Sequence, residues 1–276
     1  MTNKLFIDGI DIFAQYGVFI TEDGYKNLLS FPALKSPIVS DWAERDGIEV
    51  DLSSPKLDTK SSQISFCVVR NGDLNGFLNL CTNSDYRNIE FRELGLLRKL
   101  RFVSCSNFNG SKTSSLILFT IEFADDYPLR EYVYALPNSG LITQRGYSID
   151  SIDLSTYGVA ILEGSDSEIL KPCSAKPNLA INVSYLSGAI YDTTAVIFES
   201  KEVKLNCLML ATNLVEFWKN YNALLYDLTR EGLRYFGYRG LSYACYYKSS
   251  SVSTISLSGT IWCEFNLVLV FTKQGI

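Results

Sequence analysis

The sequence repeats itself over a long period. Tyr16-Gly17-Val18-Phe19-Ile20 recurs as Tyr157-Gly158-Val159-Ala160-Ile161, 141 residues further on. The same offset pairs Glu22 with Glu163, Leu29 with Leu170, Lys35 with Lys176, Gly47 with Gly188, Asp51 with Asp192 and Lys60 with Lys201. Over residues 16–66 that makes ten identities without a gap, where unrelated sequences of ordinary composition would give about three. A long-period repeat means one structural unit built twice. Past residue 66 the match needs small gaps, and Cys105 then lines up with Cys245. The expected organisation is a first copy over 1–128, a linker over 129–144 with a turn at Pro137-Asn138-Ser139-Gly140, and a second copy over 145–276.

The pattern inside each copy is mainly β. Ile64, Phe66 and Val68 alternate with Ser65 and Cys67. Val203, Leu205 and Cys207 alternate with Lys204 and Asn206, and a period of two with one apolar face predicts half-buried strands. Phe119, Ile121 and Phe123, and then Phe265, Leu267, Leu269 and Phe271, predict closing strands. The last of these is apolar on both faces, as a strand covered on both sides would be. Leu214, Phe217, Trp218, Tyr221, Leu224, Leu225 and Leu228 recur at helical spacing. Asn213 and Glu216 ahead of that stripe form a capping box. The first copy has a shorter version of this helix, with Leu74, Phe77, Leu78 and Cys81 weakened by Gly76. Between the opening and central strands lies a long connection containing Asp46-Gly47, flanked by Val39 and Val50. A D-G pair between extended segments favours a hairpin turn. Ser187-Gly188 stands at the same place in the second copy, so each copy is expected to carry a β-hairpin arm.

No catalytic, cofactor or metal site is expected. The chain has no His, which removes the usual general base and the usual metal ligand. Phosphate-loop, dinucleotide and nucleophile-elbow motifs are absent. The seven Cys lack paired spacing and read as buried reduced thiols rather than a zinc site. Asp41, Glu44, Asp46, Glu49 and Asp51 cluster around the first hairpin, but in the second copy only Asp51 has an acidic counterpart, Asp192, so they read as a solvated acidic arm. Their spacing does not match a calcium loop. Net charge is -5, which argues against a nucleic-acid grip. No apolar stretch is long enough for a membrane span, and the start lacks a signal-peptide pattern.

Several segments resemble the distal-tail and tail-tube proteins of long-tailed phages: Tyr16-Gly17-Val18, Phe31-Pro32-Ala33-Leu34-Lys35, Asp41-Trp42 and Asp46-Gly47-Ile48-Glu49-Val50-Asp51-Leu52. So do Phe123-Ala124-Asp125-Asp126-Tyr127-Pro128, Asn220-Tyr221-Asn222-Ala223-Leu224-Leu225-Tyr226-Asp227-Leu228 and Cys245-Tyr246-Tyr247-Lys248. Carried onto both copies, the resemblance implies two tandem tail-tube-like β-sandwich or barrel domains, each with a helix and a long arm, a departure from distal-tail proteins, whose second domain usually differs from the first. It implies a ring-forming distal-tail or baseplate-hub adaptor. The ring would be a trimer with pseudo-sixfold symmetry or a hexamer, and DNA would pass its lumen without specific binding. The partners implied are the neighbouring tail-tube, tape-measure and baseplate proteins. The location implied is the virion tail, made in the bacterial host cytoplasm. Trp42, Asp46, Gly47, Ser187 and Gly188 are then candidate subunit-contact residues. Tyr16, Gly17, Val18, Tyr157, Gly158 and Val159 are the repeated fold signature. Two other readings compete. One is a tube subunit whose doubled domains form stacked trimeric rings. The other is a carbohydrate-binding β-sandwich with Trp42 on its platform.

Overall fold

The computed structural model describes residues 2–22, 24–82, 86–110, 116–129, 132–176, 181–190 and 196–274. The fold is mainly β with helices packed on the sheets, as the alternation of apolar residues predicts. The first half runs β1 (Leu5–Ile7), β2 (Ile10–Asp11), α1 (Ile12–Tyr16), β3 (Val18–Ile20), α2 (Lys26–Leu29), β4 (Ile38–Ser40) and β5 (Glu49–Asp51). It continues through β6 (Lys60–Val68), α3 (Leu74–Thr82), β7 (Arg87–Phe91), β8 (Leu96–Gly110) and β9 (Ile117–Asp125). The second half runs β10 (Tyr147–Ile149), β11 (Ile152–Asp153), a 3-10 turn (Leu154–Tyr157), β12 (Val159–Ile161) and α4 (Ser165–Leu170). Then come β13 (Lys201–Ala211), α5 (Leu214–Leu228), β14 (Arg234–Tyr238), β15 (Leu241–Ser256) and β16 (Ile261–Phe271).

Each half holds one seven-stranded antiparallel sheet. The orders are β2-β1-β7-β8-β9-β6-β3 and β11-β10-β14-β15-β16-β13-β12, which is one order written twice. The registers repeat as well. Val18 faces Val68 as Val159 faces Met209, and the bridge Leu34 to Leu57 recurs as Ala175 to Phe198. β8 is bulged between Phe102 and Ser104, and β15 between Tyr247 and Ser249, and such bulges bend a long strand. The register also corrects one alignment. Leu100 pairs with Arg87 as Cys245 pairs with Arg234. Leu100, not Cys105, therefore stands at the place of Cys245. Insertions in the connections between strands had shifted the apparent match.

The Tyr-Gly-Val signature is a helix end. Asp11 accepts from the N–H of Phe13 and Ala14 at the start of α1, and Asp153 accepts from Ser155. Gly17 (φ 66°) and Gly158 (φ 76°) then end their helical turns in the left-handed region, which a side chain resists. A Cβ would also meet Val69 Cγ2 at 2.7 Å from Gly17 and the Leu210 carbonyl at 2.5 Å from Gly158. Val18 and Val159 follow directly into the two cores.

α5 keeps its expected face. Phe217, Tyr221, Leu224, Leu225 and Leu228 are buried, and the Glu216 N–H donates to Asn213 at 2.9 Å. The Glu216 carboxylate reaches back to the N–H of Thr212 at 3.0 Å, one residue earlier than the capping box anticipates. α3 is the shorter helix expected. The short α1, α2 and α4 carried no sequence signal, since four to six residues are too few to show a period. The turn expected at 137–140 is not one. Asn138 lies along α5, and its N–H donates to the buried Asn220 side chain at 3.1 Å. A partner on the helix overrides the local turn preference there.

Candidate assembly surface

The two halves meet over apolar and hydrogen-bonded contacts. Phe31 leaves the first half and enters the second half's core, with its ring centroid 4.1 Å from Tyr221. Its neighbours are tied down: the Tyr221 hydroxyl donates to the Leu29 carbonyl at 2.7 Å, and the Tyr247 hydroxyl to the Pro32 carbonyl at 2.9 Å. From the other side the Trp218 indole donates to the Leu94 carbonyl at 2.6 Å. Lys60, Arg98 and Asp125 line a small space at this junction, next to Trp218 and Tyr221. Burial pushes the Lys60 ammonium down to about 7; Arg98 adds to that effect and Asp125 opposes it.

The first arm is built by β4 and β5 and a loop over 41–48, and it lies on the second half. Lys176, 6% exposed, sends its ammonium into the loop. It donates to Asp41 Oδ1 at 2.5 Å and to the carbonyls of Trp42, Arg45 and Gly47 at 2.8, 2.8 and 2.7 Å. Charge-assisted bonds of this kind are about twice as strong as neutral ones. Three more bonds fix the loop against the edge of the second half. Gly47 N–H donates to the Phe198 carbonyl at 2.7 Å, and Ile48 N–H to the Thr272 carbonyl at 2.9 Å. The Phe198 N–H donates to Asp46 Oδ1 at 2.8 Å. Gly47 has φ 69°, and a Cβ on it would fall 1.8 Å from the Thr272 carbonyl oxygen. Only glycine allows that approach.

Asp46-Gly47 was expected to form the tight turn of a hairpin. It lies instead within the eight-residue loop 41–48, and only Gly47 of the pair has positive φ. Docking decides this: the Asp46 carboxylate is engaged by Phe198, and Gly47 is fitted against Thr272. Asp46 and Gly47, expected to touch another subunit, make these contacts within their own chain. Trp42 is 51% exposed, and its indole donates to Glu49 at 3.4 Å. Of the acidic cluster, Asp41 is paired with Lys176, Glu49 with Arg45 and Asp46 with the Phe198 backbone.

Ser187 and Gly188 sit at the tip of the second arm, whose described part is 181–190. Its loop has the same shape as the first. Ile181 and Ile190 bridge as Ser40 and Glu49 do. The Leu186 N–H donates to the Val183 carbonyl at 3.1 Å, as Arg45 does to Trp42 at 3.2 Å. Gly188 has φ 85°, and among the described residues beyond its two chain neighbours no atom lies within 4 Å of a Cβ built there. Tyr16 packs edge-on to Phe77, whereas its counterpart Tyr157 is buried and donates to Asp227 at 2.7 Å. Asp227 also accepts from Tyr134 at 2.9 Å, and burial followed by this carboxylate pushes the Tyr134 hydroxyl up to about 12.

The sequence pattern missed Lys176, Phe31 and Trp218 as contact residues. Lys35 and Lys176 were visible as a repeated identity, but nothing in the pattern assigned them a role.

No protein family matches the sequence. No curated protein matches it either. Among solved structures the chain is similar to the Dit protein (gp 19.1) of phage SPP1, described as a paradigm of the hub adsorption apparatus in phages that infect Gram-positive hosts. The identity is 9%, with 97% of each chain covered and a TM-score of 0.35, a likeness too distant to assign the chain to a family.

Proposed function

We propose that this chain is a structural, non-catalytic component of a phage tail, a ring-forming distal-tail or hub adaptor around the DNA channel. Two tandem domains, 1–128 and 145–276, joined by 129–144, are the product of a duplication. The observation that carries the reading is that the chain already contains one head-to-tail contact between two copies of a single sheet topology, with the arm of the first copy on the second. Head-to-tail contacts are the kind that close into rings when repeated. The order strand, arm, strand, helix, closing strands, which resembles tail-tube proteins, occurs in both halves.

The test is light scattering with negative-stain microscopy of the purified chain at high concentration. Rings with a central hole are expected, three chains each if the copies alternate around a pseudo-sixfold axis. Long hollow rods would favour the tube subunit over the adaptor. A protein that stays monomeric at every concentration and with isolated tail partners would count against the reading.

A further inference from the structure

The internal contact has two halves, an arm and a socket, and the fold repeats both. The socket on the second half consists of Lys176, the Phe198 edge and the Thr272 carbonyl, and the first arm fills it. The same places on the first half are Lys35, Leu57 and Asp126. Lys35 matches Lys176 at the repeat offset. Leu57 bridges Leu34 as Phe198 bridges Ala175. Asp126 follows the β9 residue that pairs with Lys60, as Thr272 follows the β16 residue that pairs with Lys201. Lys35 is exposed, and its ammonium meets no acceptor among the described residues. Beside Leu57 and Asp126 an open cleft of about 460 Å³ runs past Tyr127, Pro128 and Leu129.

Among the described residues, the arm that meets no socket is the second one. Its tip carries Tyr185, 83% exposed, with Leu186 and Ile190 also exposed. Apolar side chains projecting from a hairpin tip mark a surface that is covered on binding. Its loop has the first arm's bridge and turn bond, so it already has the shape that receives a lysine. By the repeat, Asn182 stands for Asp41, and the carbonyls of Val183, Leu186 and Gly188 stand for those of Trp42, Arg45 and Gly47.

We propose that the second arm, 181–190, of one chain docks on Lys35, Leu57 and Asp126 of the next copy of this chain, as the first arm docks on the second half within the chain. The partner's identity rests on the ring reading; the pairing of arm and socket rests on the internal contact. Lys35 would donate to Asn182 and to the carbonyls of Val183, Leu186 and Gly188. Tyr185 and Leu186 would lie in the cleft by Tyr127 and Leu129. The open space at Gly188 would close against the neighbour as the space at Gly47 closes against Thr272.

Lys35→Glu tests it, because an exposed side chain can be reversed in charge without disturbing the fold. Sedimentation velocity over a concentration series should show self-association weakened at least about tenfold, since a charged donor loses its acceptors, with the melting temperature unchanged at concentrations where both proteins are monomeric. As a second measurement, Lys56→Cys chains and Ser187→Cys chains are treated with a short bis-maleimide, separately and mixed. A crosslinked dimer should form in the mixture and in neither alone, with the wild type as control for the native thiols. If the wild type assembles but Lys35→Glu assembles equally well and the mixture does not crosslink, the arm-and-socket pairing is overturned while the ring reading stands. If the wild type never associates, at any concentration or with isolated tail partners, both fall.

Discussion

An ammonium group taken out of water needs acceptors around it, and a carbonyl taken out of water needs a donor. Lys176 satisfies three loop carbonyls and one carboxylate at once. Lys176→Met therefore strands several acceptors, and a loss of about 3 kcal/mol is expected, read as earlier unfolding in urea and faster proteolysis within 41–48. Lys35→Met should leave stability within about 0.5 kcal/mol of wild type, as exposed substitutions do. The two glycines should part in the same way. Gly47→Ala places a methyl inside the Thr272 carbonyl and should release the first arm. In the unassociated chain Gly188→Ala meets no described atom and should cost only the left-handed backbone, about 1 kcal/mol. Lys60 gives a pH prediction. Its folded value of about 7 lies below the ordinary 10.5. Between those values the unfolded chain holds a proton that the folded chain lacks, so this residue's contribution is least favourable below pH 7 and improves as pH rises towards 10.5. Urea titrations at pH 6.5 and 9.5 should show wild type gaining on Lys60→Met at the higher pH. An unchanged gap would mean that Lys60 keeps its water.

At the scale of elements, a strand or helix forms where its pattern and its partner agree. α5 has both: a capped start, a wide apolar face and a sheet to cover. Asn213→Ala should cost about 1 kcal/mol through its cap. β6 and β13 were legible for the same reason, since alternation alone assigns their buried face. The arms were legible as connections but not as docked elements. A hairpin tip carries no period, and its hydrogen bonds go to Phe198 and Thr272, far away in sequence. The segment around Phe31 was equally silent. A lone Phe before a proline reads as loop, yet this ring is buried among Tyr221, Tyr247 and Phe265. Phe31→Ala should destabilise the protein by about 3–5 kcal/mol, the range for deleting a buried aromatic ring. Calorimetry should show the second half's transition moving with the first, because the residue belongs to one half in sequence and to the other in packing.

For the whole molecule, the junction decides more than either half. Phe31, the Trp218 to Leu94 bond and the first arm make the halves a pair with one arm satisfied and one left over. On the proposed reading that surplus is what joins one chain to the next. None of the helices among the described residues is long and apolar enough to cross a membrane. The repeat, the mainly β character, the long amphipathic helix and the place of each arm were legible from the residues, because these depend on residue type and local spacing. Tertiary structure alone decided where the first arm goes, which of two identical lysines is buried, and where Phe31 packs. Those outcomes depend on which surfaces meet: Lys35 and Lys176 share their place in the repeat, and within the chain an arm lies over Lys176 and leaves Lys35 exposed.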